Sequence, residues 1–136
     1  MLRRTAILML VTLGCAAESD PGLTADACAA ATTCAVFGTC GLANGECAPT
    51  TEDHCRNAEN ACQAEGRCTL EGASCVATTD ADCKASNNCK ALGHCSLFED
   101  VCGALTMADC ENSDRCRLFN QCEPKLGECD NSGHGH

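Results

Sequence analysis

The sequence has no tryptophan, no tyrosine, three phenylalanines, three prolines and no cluster of lysine or arginine anywhere in its 136 residues. Each shortage excludes something. Without clustered basic side chains the chain cannot displace counterions from phosphates, so nucleic acid is not among its partners and anionic membrane surfaces are disfavoured. Beyond Cys15 only fifteen large apolar residues remain, because cysteine and alanine make up most of the hydrophobic 45%. So few cannot assemble an ordinary core, and with a formal charge of −10 the composition would otherwise read as disordered. The same shortage argues against an enzyme, since a rigid concave pocket needs large side chains to line it.

What the chain has instead is cysteine, 17 in all, a density that marks a disulfide scaffold. The first of them belongs to an export segment. Met1 to Arg4 is a basic start, Thr5 to Leu13 an apolar run, and Gly14-Cys15-Ala16-Ala17 a stretch of small residues, which is the layout of a secretory signal. Val11-Thr12-Leu13-Gly14-Cys15 also resembles a bacterial lipobox, with Thr12 where that family usually has leucine. The resemblance implies a signal over 1–14, lipidation of Cys15 and an exported linker over 15–23. Cleavage after Ala17 is the competing reading. Either route leaves sixteen cysteines in an oxidising compartment, on a processed chain whose formal charge is −12 because Arg3 and Arg4 are lost and all nineteen acidic residues are kept.

Those sixteen form a ladder of four groups: Cys28, Cys34, Cys40, Cys47; Cys55, Cys62, Cys68, Cys75; Cys83, Cys89, Cys95, Cys102; and Cys110, Cys116, Cys122, Cys129. Three groups read C-x5-C-x5-C-x6-C, the second has one extra residue in its first gap, and seven residues separate each group from the next. The chain therefore divides into repeats at 24–50, 51–78, 79–105 and 106–129, with a tail over 130–136.

Within each repeat, threonine stands four residues before the first cysteine, at Thr24, Thr51, Thr79 and Thr106, with acidic residues close behind. That is a helix start, a hydroxyl capping free N–H groups and carboxylates facing the positive end of the dipole. Two residues before each third cysteine stand Gly38, Gly66, Gly93 and Asn120, the residue types that accept the left-handed conformation just past a helix end. The spacing predicts one helix of three to four turns per repeat. The C-x6-C segment that follows predicts a tight hairpin, with turn chemistry at Asn44-Gly45, Glu71-Gly72 and Gly127, and Asp100 in the glycine's place in repeat 3. The expected fold is a small disulfide-rich α+β repeat, helix followed by hairpin, since units this short do not fold on apolar burial alone.

On one helix the first two cysteines lie roughly 9 to 10 Å apart, beyond disulfide reach. Excluding that pair also excludes third-to-fourth. Two pairings remain open, first-to-third with second-to-fourth, or first-to-fourth with second-to-third; the second is favoured because the third cysteine follows the helix stop, near the last turn that holds the second. Bonds between adjacent repeats are a further possibility.

Thiolate metal binding favours closer spacings such as C-x2-C, and none occurs. His134 and His136 could hold a divalent ion weakly, but a solvated tail is the simpler reading. No metal or cofactor is assigned. His54 and His94 occupy non-equivalent repeat positions with no nucleophile motif beside them.

With ladder and export segment placed, residues 24 to 129 resemble the tandem cysteine-rich repeat lipoproteins predicted from bacterial genomes, in units such as Thr79 to Cys102, TDADCKASNNCKALGHCSLFEDVC. The resemblance implies an architecture and no activity. The function expected is an exported, lipid-anchored envelope binding or structural module, its partner an unidentified protein or envelope component and its membrane attachment through lipid only. Two alternatives stand beside it. One is a periplasmic or surface protein handling copper or zinc. The other is a secreted protease inhibitor or toxin-like scaffold presenting a hairpin tip such as Leu97-Phe98.

Overall fold

The computed structural model describes residues 22–131; the export segment with Cys15, and the tail with His134 and His136, lie outside them. Repeat 1 comprises helices α1 (Ala25–Ala30) and α2 (Thr32–Phe37) and strands β1 (Gly41–Ala43) and β2 (Glu46–Ala48). Repeat 2 has α3 (Glu52–Arg56), a π-helix π1 (Glu59–Ala64), β3 (Thr69–Glu71) and β4 (Ser74–Val76). Repeat 3 has α4 (Asp80–Ala85), α5 (Asn87–Leu92), β5 (Ser96–Phe98) and β6 (Val101–Gly103). Repeat 4 has α6 (Met107–Glu111), α7 (Asp114–Phe119), β7 (Glu123–Lys125) and β8 (Glu128–Asp130). Each strand pair is its own antiparallel hairpin, so the fold is the small disulfide-rich α+β repeat that the cysteine ladder implies.

The helix starts are where the threonines put them. The Oγ1 atoms of Thr24, Thr51, Thr79 and Thr106 accept from the N–H groups of Ala27, His54, Asp82 and Asp109 at 3.1 to 3.4 Å. The stops also hold, with φ of 77°, 74° and 82° at Gly38, Gly66 and Gly93 and 58° at Asn120.

The single helix between start and stop does not form. Each repeat has two short helices that meet at a corner three residues after the first cysteine, at Ala31, Ala58, Ser86 and Ser113, all extended at ψ between 122° and 158°. The serines show why the corner wins over continuation. Ser86 Oγ donates to the Cys83 carbonyl (2.7 Å) and accepts from the Cys89 N–H (3.1 Å), closing one helix and opening the next. Ser113 does the same between Cys110 and Cys116. A hydroxyl that serves both ends offers the backbone an alternative to helix hydrogen bonds. The alanines lack that bond, but like the serines they are small, and Ala58, Ser86 and Ser113 are buried at the corner.

Repeat 2 shows how its extra residue is absorbed. Gln63 N–H donates to the Ala58 carbonyl and Glu65 N–H to that of Asn60, five residues back rather than four. The wider turn takes up one residue without moving Cys55 or Cys62 out of register with the hairpin, the usual role of a π-bulge.

All four repeats pair first with fourth and second with third cysteine: Cys28–Cys47 and Cys34–Cys40, Cys55–Cys75 and Cys62–Cys68, Cys83–Cys102 and Cys89–Cys95, Cys110–Cys129 and Cys116–Cys122. Every bond lies within a repeat. The first cysteines, Cys28, Cys55, Cys83 and Cys110, are fully buried, and their company is Ala58, Ala61, Ala77, Ala104 and Ser113; no leucine, valine or phenylalanine is buried among the described residues. Sulfur and small side chains form the interior.

The hairpins set the fourth cysteine opposite Leu42, Leu70, Leu97 and Pro124. Turn residues shift from the expected positions in two repeats. Repeats 1 and 4 turn on two positive-φ residues, Asn44-Gly45 and Leu126-Gly127, the I′ pattern. Repeat 2 turns on Gly72-Ala73 and repeat 3 on Glu99-Asp100, with positive φ at the first residue alone, as in II′ turns. Glu71 is therefore a strand residue, and Glu99 rather than Asp100 carries the left-handed conformation.

Repeats dock on one another through the stop glycines. A Cβ on Gly66 would lie 2.7 Å from Cys102 Sγ and one on Gly93 would lie 2.8 Å from the Asp109 carbonyl, each atom belonging to the following repeat. Glycine is thus required twice over, for its φ and for this approach. Backbone bonds add to the contact, Ala77 N–H to the Asp100 carbonyl (2.9 Å) and Ala104 N–H to that of Gly127 (2.8 Å); Pro49, at the equivalent place in repeat 1, has no N–H to give. In repeat 4 the stop is Asn120, whose side chain stands where the glycines leave room, and neighbouring Leu118 is 66% exposed whereas its counterparts Val36, Ala64 and Ala91 are half-buried.

Candidate functional site

Repeat 4, at its junction with repeat 3, departs from a pattern that repeats 2 and 3 share. In repeats 2 and 3 the first helical residue is acidic and accepts a hairpin N–H: Leu70 N donates to Glu52 Oε2 (3.3 Å) and Leu97 N to Asp80 Oδ1 (2.7 Å). In repeat 4 both halves of this tie change together. Met107 replaces the acid, and Pro124, which has no N–H to satisfy, replaces the leucine. Three more substitutions by position run the same way. Leu105 stands where Thr50 and Thr78 stand, Leu126 where Asn44, Gly72 and Glu99 stand, Phe98 where Ala43, Glu71 and Lys125 stand, and Met107 is itself 48% exposed.

An apolar groove of about 470 Å³ lies between the two hairpins, formed by Phe98, Ala104, Leu105, Pro124, Leu126 and Gly127. Ala104, 1% exposed, and the Ala104–Gly127 hydrogen bond make its floor; Phe98, Leu105 and Leu126 are 52%, 42% and 97% exposed. Leu126 sits at φ 53°, a conformation that costs a residue with a Cβ roughly 1–2 kcal/mol. A strained and fully exposed leucine at a hairpin tip contributes nothing to the interior.

Buried Asp109 fixes the groove from behind. Its Oδ2 accepts from Ser96 Oγ of repeat 3 (2.8 Å) and from the N–H groups of Leu105 (2.9 Å) and Thr106 (3.0 Å), which also closes a capping box with Thr106. Burial pushes the carboxyl's pKa up, while the bonds from Leu105, Ser96 and Thr106 pull it down, and the net position is below the ordinary value of 3.8. A depressed carboxyl stabilises the fold fully above the ordinary range and loses that contribution as pH falls through its folded pKa. Asp109→Asn is therefore expected to cost about 2 kcal/mol at neutral pH. It should also flatten the loss of stability between about pH 5 and pH 2, as read by thermal melting across that range. An unchanged acid profile would mean that Asp109 does not couple the two repeats.

A second groove of about 470 Å³ lies where repeats 2 and 3 meet, lined by Glu65, Arg67, Asn88, His94, Val101 and Cys102. Its cation is already neutralised, Arg67 Nε donating to Glu65 Oε2 at 2.6 Å. His94 Nε2 lies 3.1 Å from Glu128 Oε1 but off the hydrogen-bonding direction, and the other oxygen of Glu128 is held by Arg115.

The residues singled out by sequence fall as follows. All sixteen repeat cysteines are in disulfides. His54 Nδ1 accepts from the Thr50 N–H (3.1 Å), a structural duty at the start of repeat 2. Of the tip Leu97-Phe98, Leu97 is half-buried opposite Cys102 and only Phe98 projects. Among the described residues no group of three or more histidine, cysteine, aspartate or glutamate side chains converges on a point. Also among them, no helix is long and apolar enough to cross a membrane. Leu105 and Leu126 escaped the sequence reading, although superposing the repeats position by position marks both as departures. Comparison with protein-family models, curated proteins and solved structures finds no match.

Eight disulfides in 136 residues place the chain among small proteins of oxidising compartments, extracellular or of the envelope.

Proposed function

We propose that this chain is an exported, lipid-anchored, non-catalytic module that presents a binding surface at the cell envelope. The observation that carries the reading is the division of labour among side chains. The interior is sulfur, alanine and serine, whereas nine large apolar residues are exposed, and three of them, Phe98, Leu105 and Leu126, meet in one groove. A scaffold rigid without a conventional core leaves its few large side chains for contact. The thiolate form of the metal-handling alternative needs free sulfurs, and the sixteen it would use are engaged as disulfides.

Anchoring is tested on envelope material by intact-protein mass spectrometry, with a chain beginning at Cys15 and carrying added acyl mass as the expected result. Cys15→Ser should block processing or release the protein from the membrane fraction, since stable attachment takes two or more acyl chains. A soluble species that begins at Glu18 would establish simple secretion instead.

A further inference from the structure

We infer that the groove between the β5–β6 and β7–β8 hairpins binds a basic amphipathic segment of another protein, seating a large apolar side chain between Phe98, Leu105 and Leu126. The inference rests on the binding-module reading and adds its surface and partner chemistry.

The groove is built by exception. The other repeats carry threonine, turn residues, alanine or charge where this junction carries Leu105, Leu126 and Phe98. Leu126 holds a left-handed conformation in full solvent exposure, so neither packing nor turn preference accounts for it. Asn44, in the same place in repeat 1, is what a I′ turn prefers.

Charge selects the occupant. The acidic turn residues Glu99 and Asp100 follow Phe98 directly and are exposed, and residues 95–102 contain no lysine or arginine. On the neighbouring hairpin Lys125 is 3.8 Å from Asp130. The whole chain carries −10, so a second copy would be repelled on approach, as would an anionic lipid surface. A cationic segment would be drawn in, and its apolar face would find a groove of a size suited to one or two large side chains.

The test uses the full oxidised protein and a labelled helical peptide with leucine on one face and lysine on the other, read by fluorescence anisotropy. Wild type should bind. Leu126→Asn restores preferred turn chemistry and should keep or raise the melting temperature while weakening binding at least fivefold. Phe98→Glu adds a carboxylate, so attraction by charge alone would tighten binding, whereas docking in the groove would weaken it about tenfold. Unchanged affinity in Leu126→Asn, or tighter binding in Phe98→Glu, overturns the proposal. So does equal affinity for a leucine–glutamate peptide. Sedimentation showing a wild-type dimer that Leu126→Asn dissociates would assign the groove to a second copy and overturn it too, as would Leu126-dependent binding to phosphatidylcholine vesicles. Acyl mass at Cys15, measured separately, decides the envelope reading whatever the peptide does.

Discussion

Removing the Cys83–Cys102 bond, as Cys83→Ala with Cys102→Ala, is expected to cost about 4 kcal/mol, and removing Cys89–Cys95 in the same way about 2 kcal/mol. Loop closure accounts for part of the difference. The first bond spans 19 residues and the second 6, which in the chain-entropy account correspond to about 3 and about 2 kcal/mol. Position supplies the rest. Cys83 is fully buried, so truncation leaves a closed cavity, while in the other bond Cys89 is half-buried and Cys95 still 8% exposed. Cys102 Sγ is also the atom against which Gly66 of the preceding repeat docks, so its loss should loosen repeat 2 as well as repeat 3. Urea unfolding without reductant measures both variants. Equal costs would show that the outer bond is not the pillar of the interior.

Gly93→Val is the second large effect, an expected loss of about 4 kcal/mol. The residue sits at φ 82°, where a β-branched side chain is strained by about 1–3 kcal/mol. Its Cβ would also approach Cys129 Sγ to 2.5 Å and the Asp109 carbonyl to 2.8 Å, and forcing the repeats apart adds about 1–3 kcal/mol. Asn120→Val separates the two causes, because Asn120 has the same left-handed backbone at an exposed site and should show the strain alone. Thermal melting of the full oxidised chain is the measurement. A cost at position 93 no greater than at position 120 would mean that the repeats do not dock through the glycine.

That comparison also marks where the sequence could be read and where it could not. Threonine caps, left-handed stops and cysteine spacing are local signals with one physical meaning each, so helix starts, helix stops and hairpins followed from them directly. The stop glycines carried a second meaning, contact with the next repeat, which became visible only when Cys102 and Cys129 were placed beside Gly66 and Gly93. The helix corner was half legible. Ser86 and Ser113, each three residues before the second cysteine, have the form of a second N-cap, but Ala31 and Ala58 carry no such mark and read as helix interior. The groove was hidden for a different reason. Leu126 is unremarkable as a residue type; aligning the repeats marks it as a departure from Asn44, Gly72 and Glu99, and its backbone angle and exposure give that departure its meaning.

That every disulfide closes within its own repeat bears on how the molecule answers a pulling force. Between first and fourth cysteine the chain is short-circuited, with Cα atoms 5.4 to 5.5 Å apart, so tension applied to the ends bypasses the helices and hairpin strands. Only the seven-residue joins can pay out length. Fully stretched, Cys28 to Cys129 would reach about 105 Å in the oxidised chain against about 350 Å once reduced. Built this way, the chain acts as a nearly inextensible strap: load reaching one repeat passes through covalent bonds to the next, and the groove, whose Ala104 and Leu105 belong to the last join, opens under load before any helix or hairpin strand parts.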